Sequence, residues 1–229
     1  AATQAGAVTF VDPTVTTPGA MGNKVGIVSA ANSLVGSTTG DNVGRDGVTE
    51  LSNGNYVVTS SRWNGAVAQV GAVTFGNGTT GVSGVVSASN SLVGSTAFDN
   101  VGNDGVVALP SGNYLVRSTN WKNGSAPLAG AVTWVNGANG HPRNEISPGA
   151  VVSANNSLVG SESFDQVGGS GVTVLSSGNY VVNSPGWDGG GRDYGAVTFG
   201  SGTTGVSGIV SAANSLVGTQ DDGDGMGES

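Results

Sequence analysis

The sequence predicts an all-β protein built as an antiparallel, β-propeller-like repeat array, with four strands in each repeat of about 58 to 66 residues and an open β-solenoid as the alternative. Three observations carry that expectation. First, one segment is written three times with a half copy in front: Gly-Asn-Tyr-aliphatic-Val-x-Ser surrounds Tyr56, Tyr114 and Tyr180, and a Trp follows each Tyr by seven residues, at Trp63, Trp121 and Trp187. Second, Ala-x-Asn-Ser-Leu-Val-Gly occurs four times, with its Leu at Leu34, Leu92, Leu158 and Leu216. Third, Gly, Ser, Thr, Asn and Val dominate, which suits short strands between tight turns and leaves no long amphipathic stretch.

The copy from Val93 to Leu158 shows the elements in order. Asp99 to Leu109 is Gly-rich and ends in a short apolar strand, Pro110-Ser-Gly-Asn is a turn, and Tyr114 to Ser118 is a second strand. In the preceding copy the turn holds Asn53-Gly54, a hairpin signal because both residues tolerate positive φ. A loop carrying Trp121 leads to a third strand at Gly130 to Trp134. The fourth is expected from Ala150 to Ser161, as one strand interrupted by Asn155-Asn156. The Gly-rich first strands suit places where backbones approach closely.

Loop length varies in alternation. The connection from third to fourth strand is long after Phe10 and Trp134 and short after Phe75 and Phe199, so the Tyr spacing is 58 and then 66 residues. Residues 71 to 95 match residues 195 to 219 with four differences, which makes a pair of repeats, 124 residues long, the higher-order unit. One repeat domain spans residues 1–218, as a half repeat over 1–34 and full repeats over 35–92, 93–158 and 159–216, followed by an acidic Gly-rich tail, or the start of a further repeat, over 219–229. The half repeat supplies a third strand at Ala5 to Phe10 and a fourth at Val25 to Ser29. Strand edges left open by such a half unit invite association with another chain.

Charge and composition exclude several classes. A net charge of −8 with seven scattered Lys and Arg argues against nucleic acid as a partner, which needs clustered cations. No apolar run is long enough for membrane insertion. With no Cys there is no thiol nucleophile, and a single His, His141, cannot build a multi-His metal site and is a poor basis for a triad, so no enzyme is expected. His141 is expected to be a solvent-exposed loop residue.

The stretch from Phe98 to Ser118 followed by Gly130-Ala-Val-Thr resembles the FG-GAP repeat of integrin-like β-propellers, and the pattern recurs from Thr39 and from Phe164. It is also similar to the long repeat arrays of very large bacterial exported, haemagglutinin-like proteins. The resemblance implies a propeller and a secreted or cell-surface location in a bacterium. The calcium loop that FG-GAP hairpins often carry has no counterpart, because the turns at Ser52 to Asn55, Pro110 to Asn113 and Ser176 to Asn179 hold no carboxylate.

Two sets of residues are candidate ligand sites. Trp63, Trp121 and Trp187, one per repeat on a loop, could stack on sugar rings; the competing expectation is that each plugs a gap between repeats with its N–H satisfied by a loop carbonyl. Asp221, Asp222, Asp224 and Glu228 form the one acidic, Gly-punctuated cluster, of a kind that can wrap Ca²⁺; no other cofactor is expected. Asp41, Asp99 and Asp165 occupy one repeated position, which points to a structural cap used three times. The expected role is a non-catalytic structural or adhesive module of an exported bacterial surface protein that self-associates through open strand edges. The alternative is a lectin-like module contacting a glycan or host surface through the Trp loops.

Overall fold

The computed structural model describes residues 2–12, 26–189 and 193–219. All of its regular structure is strand. The half repeat contributes β1 (Ala7–Val8) and β2 (Leu34–Val35); the first full repeat contributes β3 (Val48–Glu50), β4 (Tyr56–Ser60), β5 (Ala72–Gly76), β6 (Gly84–Val85) and β7 (Ser91–Val93). The second holds β8 (Val106–Ala108), β9 (Tyr114–Ser118), β10 (Ala131–Val135), β11 (Ala150–Val151) and β12 (Ser157–Val159), and the third β13 (Val172–Val174), β14 (Tyr180–Ser184), β15 (Ala196–Gly200), β16 (Gly208–Ile209) and β17 (Leu216–Val217). No helix occurs among the described residues, and so none is long and apolar enough to cross a membrane.

Each full repeat folds into an antiparallel sheet. In the first the order is β3-β4-β5-β7, and the later repeats repeat it as β8-β9-β10-β12 and β13-β14-β15-β17. The hairpin turns differ in detail from the Asn-Gly expectation. Only the Gly is left-handed, with φ of 82° at Gly54, 85° at Gly112 and 83° at Gly178. The Leu51 N–H donates to the Asn55 carbonyl at 2.8 Å and the Gly54 N–H to the Leu51 carbonyl at 2.9 Å, closing a longer loop that needs one positive-φ residue rather than two.

The expected single fourth strand is in fact two strands in two different sheets. β7, β12 and β17 complete their own sheets, but the two-residue strand just ahead of each joins the preceding repeat in parallel. Thus β6 pairs with β2, β11 with β7 and β16 with β12. Asn155-Asn156 is not an interruption within one strand but the tip of the turn that redirects the chain between sheets. In the half repeat the corresponding Gly26 to Ser29 form no strand, and the third strand is shorter than expected, at Ala7–Val8.

The apolar residues alternate along each strand between two neighbouring clusters. Val57 faces the second repeat while Val58 faces the half repeat, and Leu115 and Val116 divide in the same way between the third and first repeats. Every repeat therefore buries both faces of its sheet only when it has a neighbour on each side. A second seam joins the ends of the sheets. The N–H groups of Val43, Val101 and Val167 each donate at 3.0 Å to a carbonyl just ahead of the third strand of the previous repeat, at Ala5, Val70 and Ala129. A Cβ on Gly71 would lie 2.2 Å from the Val101 nitrogen, so the first residue of Gly-Ala-Val must lack a side chain.

Candidate functional site

The repeated phrase Ala-x-Asn-Ser-Leu-Val-Gly builds one device four times. Its Asn accepts a bond from the backbone N–H three residues earlier and from the next Ser hydroxyl, and donates to a carbonyl five residues earlier. For Asn90 the partners are the Ser87 N–H, the Ser91 hydroxyl and the Val85 carbonyl, each at 2.9 Å. Asn32, Asn156 and Asn214 make the same three bonds. The side chain thereby ties the short donated strand to the turn behind it and aims it at the preceding sheet. The Ser that follows is held in turn by a Thr of the third strand, as Thr74 to Ser91 and Thr133 to Ser157, both at 2.7 Å and both buried. The Leu and Val after it form the edge that accepts the strand of the next repeat, with the Val86, Val152 and Val210 N–H groups donating at 3.0 Å to the carbonyls of Val35, Val93 and Val159.

The recurring carboxylates hold the Trp loops. Asp41, Asp99 and Asp165 are fully buried. One oxygen of Asp99 accepts from the Ser95 and Thr96 N–H groups at 2.9 and 2.8 Å, and the other accepts from Lys122, the residue after Trp121, at 3.1 Å. Asp41 and Asp165 bind the residues after Trp63 and Trp187 in the same manner, through the N–H groups of Asn64 and Asp188. Burial pushes the Asp99 carboxyl above its usual range, and the three N–H donors and the Lys122 charge pull against that shift.

The three tryptophans on these loops, Trp63, Trp121 and Trp187, are 7, 4 and 7 % exposed and belong to the clusters between repeats. Stacking on a sugar needs an open ring face, which none of them presents. Their Nε1 atoms are buried and meet no hydrogen-bond acceptor, contrary to the expected loop carbonyl. Trp134 is the one that finds such a partner, donating to the Gly202 carbonyl at 3.2 Å. Trp63 also lines an apolar pocket of about 240 Å³ with Val70, Val93 and Val151.

Two exposed aromatic residues, Phe98 and Phe164, sit just ahead of the buried Asp, each at positive φ, 66° and 72°, and Phe199 of β15 is exposed as well. Sequence reading passes over Phe98 and Phe164, because a left-handed Phe has no signature beyond the Gly40 at the same place in the first full copy. His141 is half-buried, not fully exposed, and its N–H donates to Asn139 Oδ1 at 3.0 Å. Asp221, Asp222, Asp224 and Glu228 lie outside the described residues. Among the described residues no three His, Cys, Asp or Glu side chains gather as a metal site would require.

No curated protein matches the chain. One repeat family does, described as "Repeat of unknown function (DUF5650)", over residues 1–45, 50–103, 108–169 and 174–228, so that four tandem copies, the first of them short, cover nearly the whole sequence. Its four copies each contain one Asn-centred turn and the Leu-Val strand after it, and in the first three that strand accepts one from the next repeat. The chain belongs to the DUF5650 repeat family.

Proposed function

We propose that this chain is a non-catalytic structural and adhesive repeat module of an exported bacterial surface protein, and that its sheets are completed from one unit to the next. The observation that carries this reading is the donated strand: the half repeat and the first two full repeats each have a sheet edge finished by the repeat that follows. A construction of that kind resists being pulled apart unit by unit, because separating neighbours breaks backbone pairing as well as apolar contact. Low charge and seven cations fit a module whose work is done by backbone and apolar surface rather than by ionic recognition.

Of the two arrangements, an FG-GAP-like propeller and an open stack, the open stack has more in its favour. A ring would bring the edge of β17 against the half repeat of the same chain, and among the described residues no pairing links them. Small-angle scattering separates the two through the maximum dimension of a single chain. Glycan stacking on Trp63, Trp121 and Trp187 gains no support from their burial.

The functional test is cellular. Antibodies to the purified chain are expected to label intact cells of the producing bacterium, and deletion of the repeats is expected to lower attachment. Labelling that requires lysed cells would overturn the reading.

A further inference from the structure

The two ends of the described array are complementary halves of one joint. At the C-terminal end, β17 pairs with β15 on one side and, among the described residues, has no strand on the other. Its Leu216 is 70 % exposed, whereas Leu34, Leu92 and Leu158, which hold the same place beneath a donated strand, are 0, 3 and 0 % exposed. Beside it Val181, Val197, Phe199 and Ala212 line an open groove of about 460 Å³. The residues that occupy this place in the internal joints, Val86, Val152 and Val210, are each 2 % exposed.

At the other end, Gly26, Ile27 and Val28 hold the donor's place and pair with no strand among the described residues. Val28 is 55 % exposed and Ile27 90 %. The segment nevertheless holds the donor shape. Gly26 has φ of 110°, against 114° at Gly84 and 110° at Gly208, and Asn32 makes the three bonds of its counterparts, including the one to the Ile27 carbonyl at 3.0 Å. A segment fixed before it binds loses little freedom on binding.

We infer that a second copy of this chain fills the groove, with its Gly26–Val28 segment adding as a parallel strand to the outer edge of β17. The inference rests on the self-completing module proposed above and gives it a donor, an acceptor and a register. The internal joints set that register: Gly26 lies opposite Leu216 and Ile27 opposite Val217, as Gly84 lies opposite Leu34 and Val85 opposite Val35. The Gly26 N–H donates to the Ser215 carbonyl and the Val28 N–H to the Val217 carbonyl, as Gly84 and Val86 do to Ser33 and Val35 at 3.0 Å. The occupant is another copy because its Gly26–Val28 segment is the counterpart of Gly84–Val85, Ala150–Val151 and Gly208–Ile209, which three internal joints seat on the same edge. The interface is heterologous, head to tail, so each added copy presents a fresh acceptor and the assembly grows as a filament.

Two charge substitutions test it, each at a residue that is exposed in the single chain and so leaves its core untouched. Val28→Asp spoils the donor, and Leu216→Asp spoils the acceptor. Light scattering and sedimentation of the wild type are expected to show concentration-dependent growth, and either variant alone to weaken association by about a hundredfold. Mixed together, the variants are expected to form a capped one-to-one heterodimer, since one retains the donor and the other the acceptor. A wild type that stays single at high concentration, growth that survives both substitutions, or a mixture that fails to pair would overturn the inference. Each of those results would leave surface labelling of cells unaffected, so loss of this joint and loss of the proposed function are told apart.

Discussion

Leu158 and Leu216 sit in the same phrase, follow the same Ser and precede the same Val, yet one is sealed in the protein and the other lies open. What differs is the neighbour. Leu158 is covered when β16 of the next repeat pairs with β12, and Leu216 lies on an edge to which no strand is added among the described residues. Burial in this family is therefore a property of the junction between units rather than of the residue, and a single repeat is an incomplete object. The largest test of that contrast is a pair of truncations. Leu158→Ala is expected to lower the stability of the isolated chain by about 3 kcal/mol, and Leu216→Ala to change it by less than about 0.5 kcal/mol. Chemical denaturation of both variants checks this, and equal losses would mean that the terminal edge is already covered in the single chain.

The joints also differ in how fully they cover the tyrosine that recurs in the second strand. Tyr114 and Tyr180 lie beneath complete sheets, whereas Tyr56 meets the half repeat, stacks on Phe10 at 6.0 Å between centroids and stays half-buried. Burial pushes all three phenols up, Tyr180 from 10.0 to about 12 and Tyr114 further still, while the Val82 N–H donating to the Tyr56 hydroxyl at 3.1 Å offsets part of that shift. A phenol whose folded pKa exceeds its unfolded one holds more proton in the native state above the unfolded value. Stability from Tyr180 is then complete below pH 10 and is lost as pH rises from 10 towards 12. The expected loss across that window is about 2 kcal/mol. Of these three phenols Tyr56 is expected to ionise first, and replacing Tyr56 by Phe should remove its share of the rise in phenolate absorbance ahead of Tyr180 and Tyr114.

The Asn at the turn gives a smaller contrast. Asn156 is fully buried and donates to Glu145 Oε1 at 3.0 Å besides its three usual bonds, whereas Asn32 makes those three bonds in a half-exposed setting. Asn156→Ala is expected to cost about 2 kcal/mol, because buried donors and acceptors lose their partners, and Asn32→Ala about 1 kcal/mol or less. Thermal unfolding of the two variants measures the difference. If Asn32→Ala also abolishes head-to-tail growth while the chain stays folded, the shaping of the donor before it binds is established independently of the charge variants.

Repetition, period-two patterning and turn residues make the all-β class legible, together with the four-stranded unit and the Tyr and Trp positions. They do not reveal that Ala150–Val151 and Ser157–Val159 belong to different sheets. Alternation within a strand says which residues share a face, but the partner of β11 is β7, 58 residues earlier, between Ala150 and Leu92. The Asn between the two halves reads as a flaw in a strand because its three bonds are invisible until the turn is folded. The buried Asp is a different case: its recurrence at 41, 99 and 165 pointed to a structural cap, and the folded chain shows what it caps, the loop just after each Trp. The open joint follows from neither motif alone, since donor and acceptor lie at opposite ends of the array.

The smallest expected effect compares the first full copy with the second at one backbone position. Gly40 and Phe98 both precede the buried Asp, and both are left-handed, at φ of 83° and 66°. Glycine adopts that conformation without penalty, but a bulky side chain there strains the backbone by about 1 kcal/mol or more. Phe98 recovers little of that cost through burial, being 54 % exposed, and its N–H bond to the Ala68 carbonyl at 3.0 Å belongs to the backbone and survives substitution. Phe98→Gly, which copies the first repeat into the second, is therefore expected to raise stability by about 0.5 kcal/mol after the greater freedom of Gly in the unfolded chain is deducted. Gly40→Phe should lower it by about 1 kcal/mol. If Phe98→Gly instead destabilises the chain by more than about 1 kcal/mol, the exposed ring supports the loop through contacts that outweigh the strain, and the second repeat is not a strained variant of the first but a differently braced one.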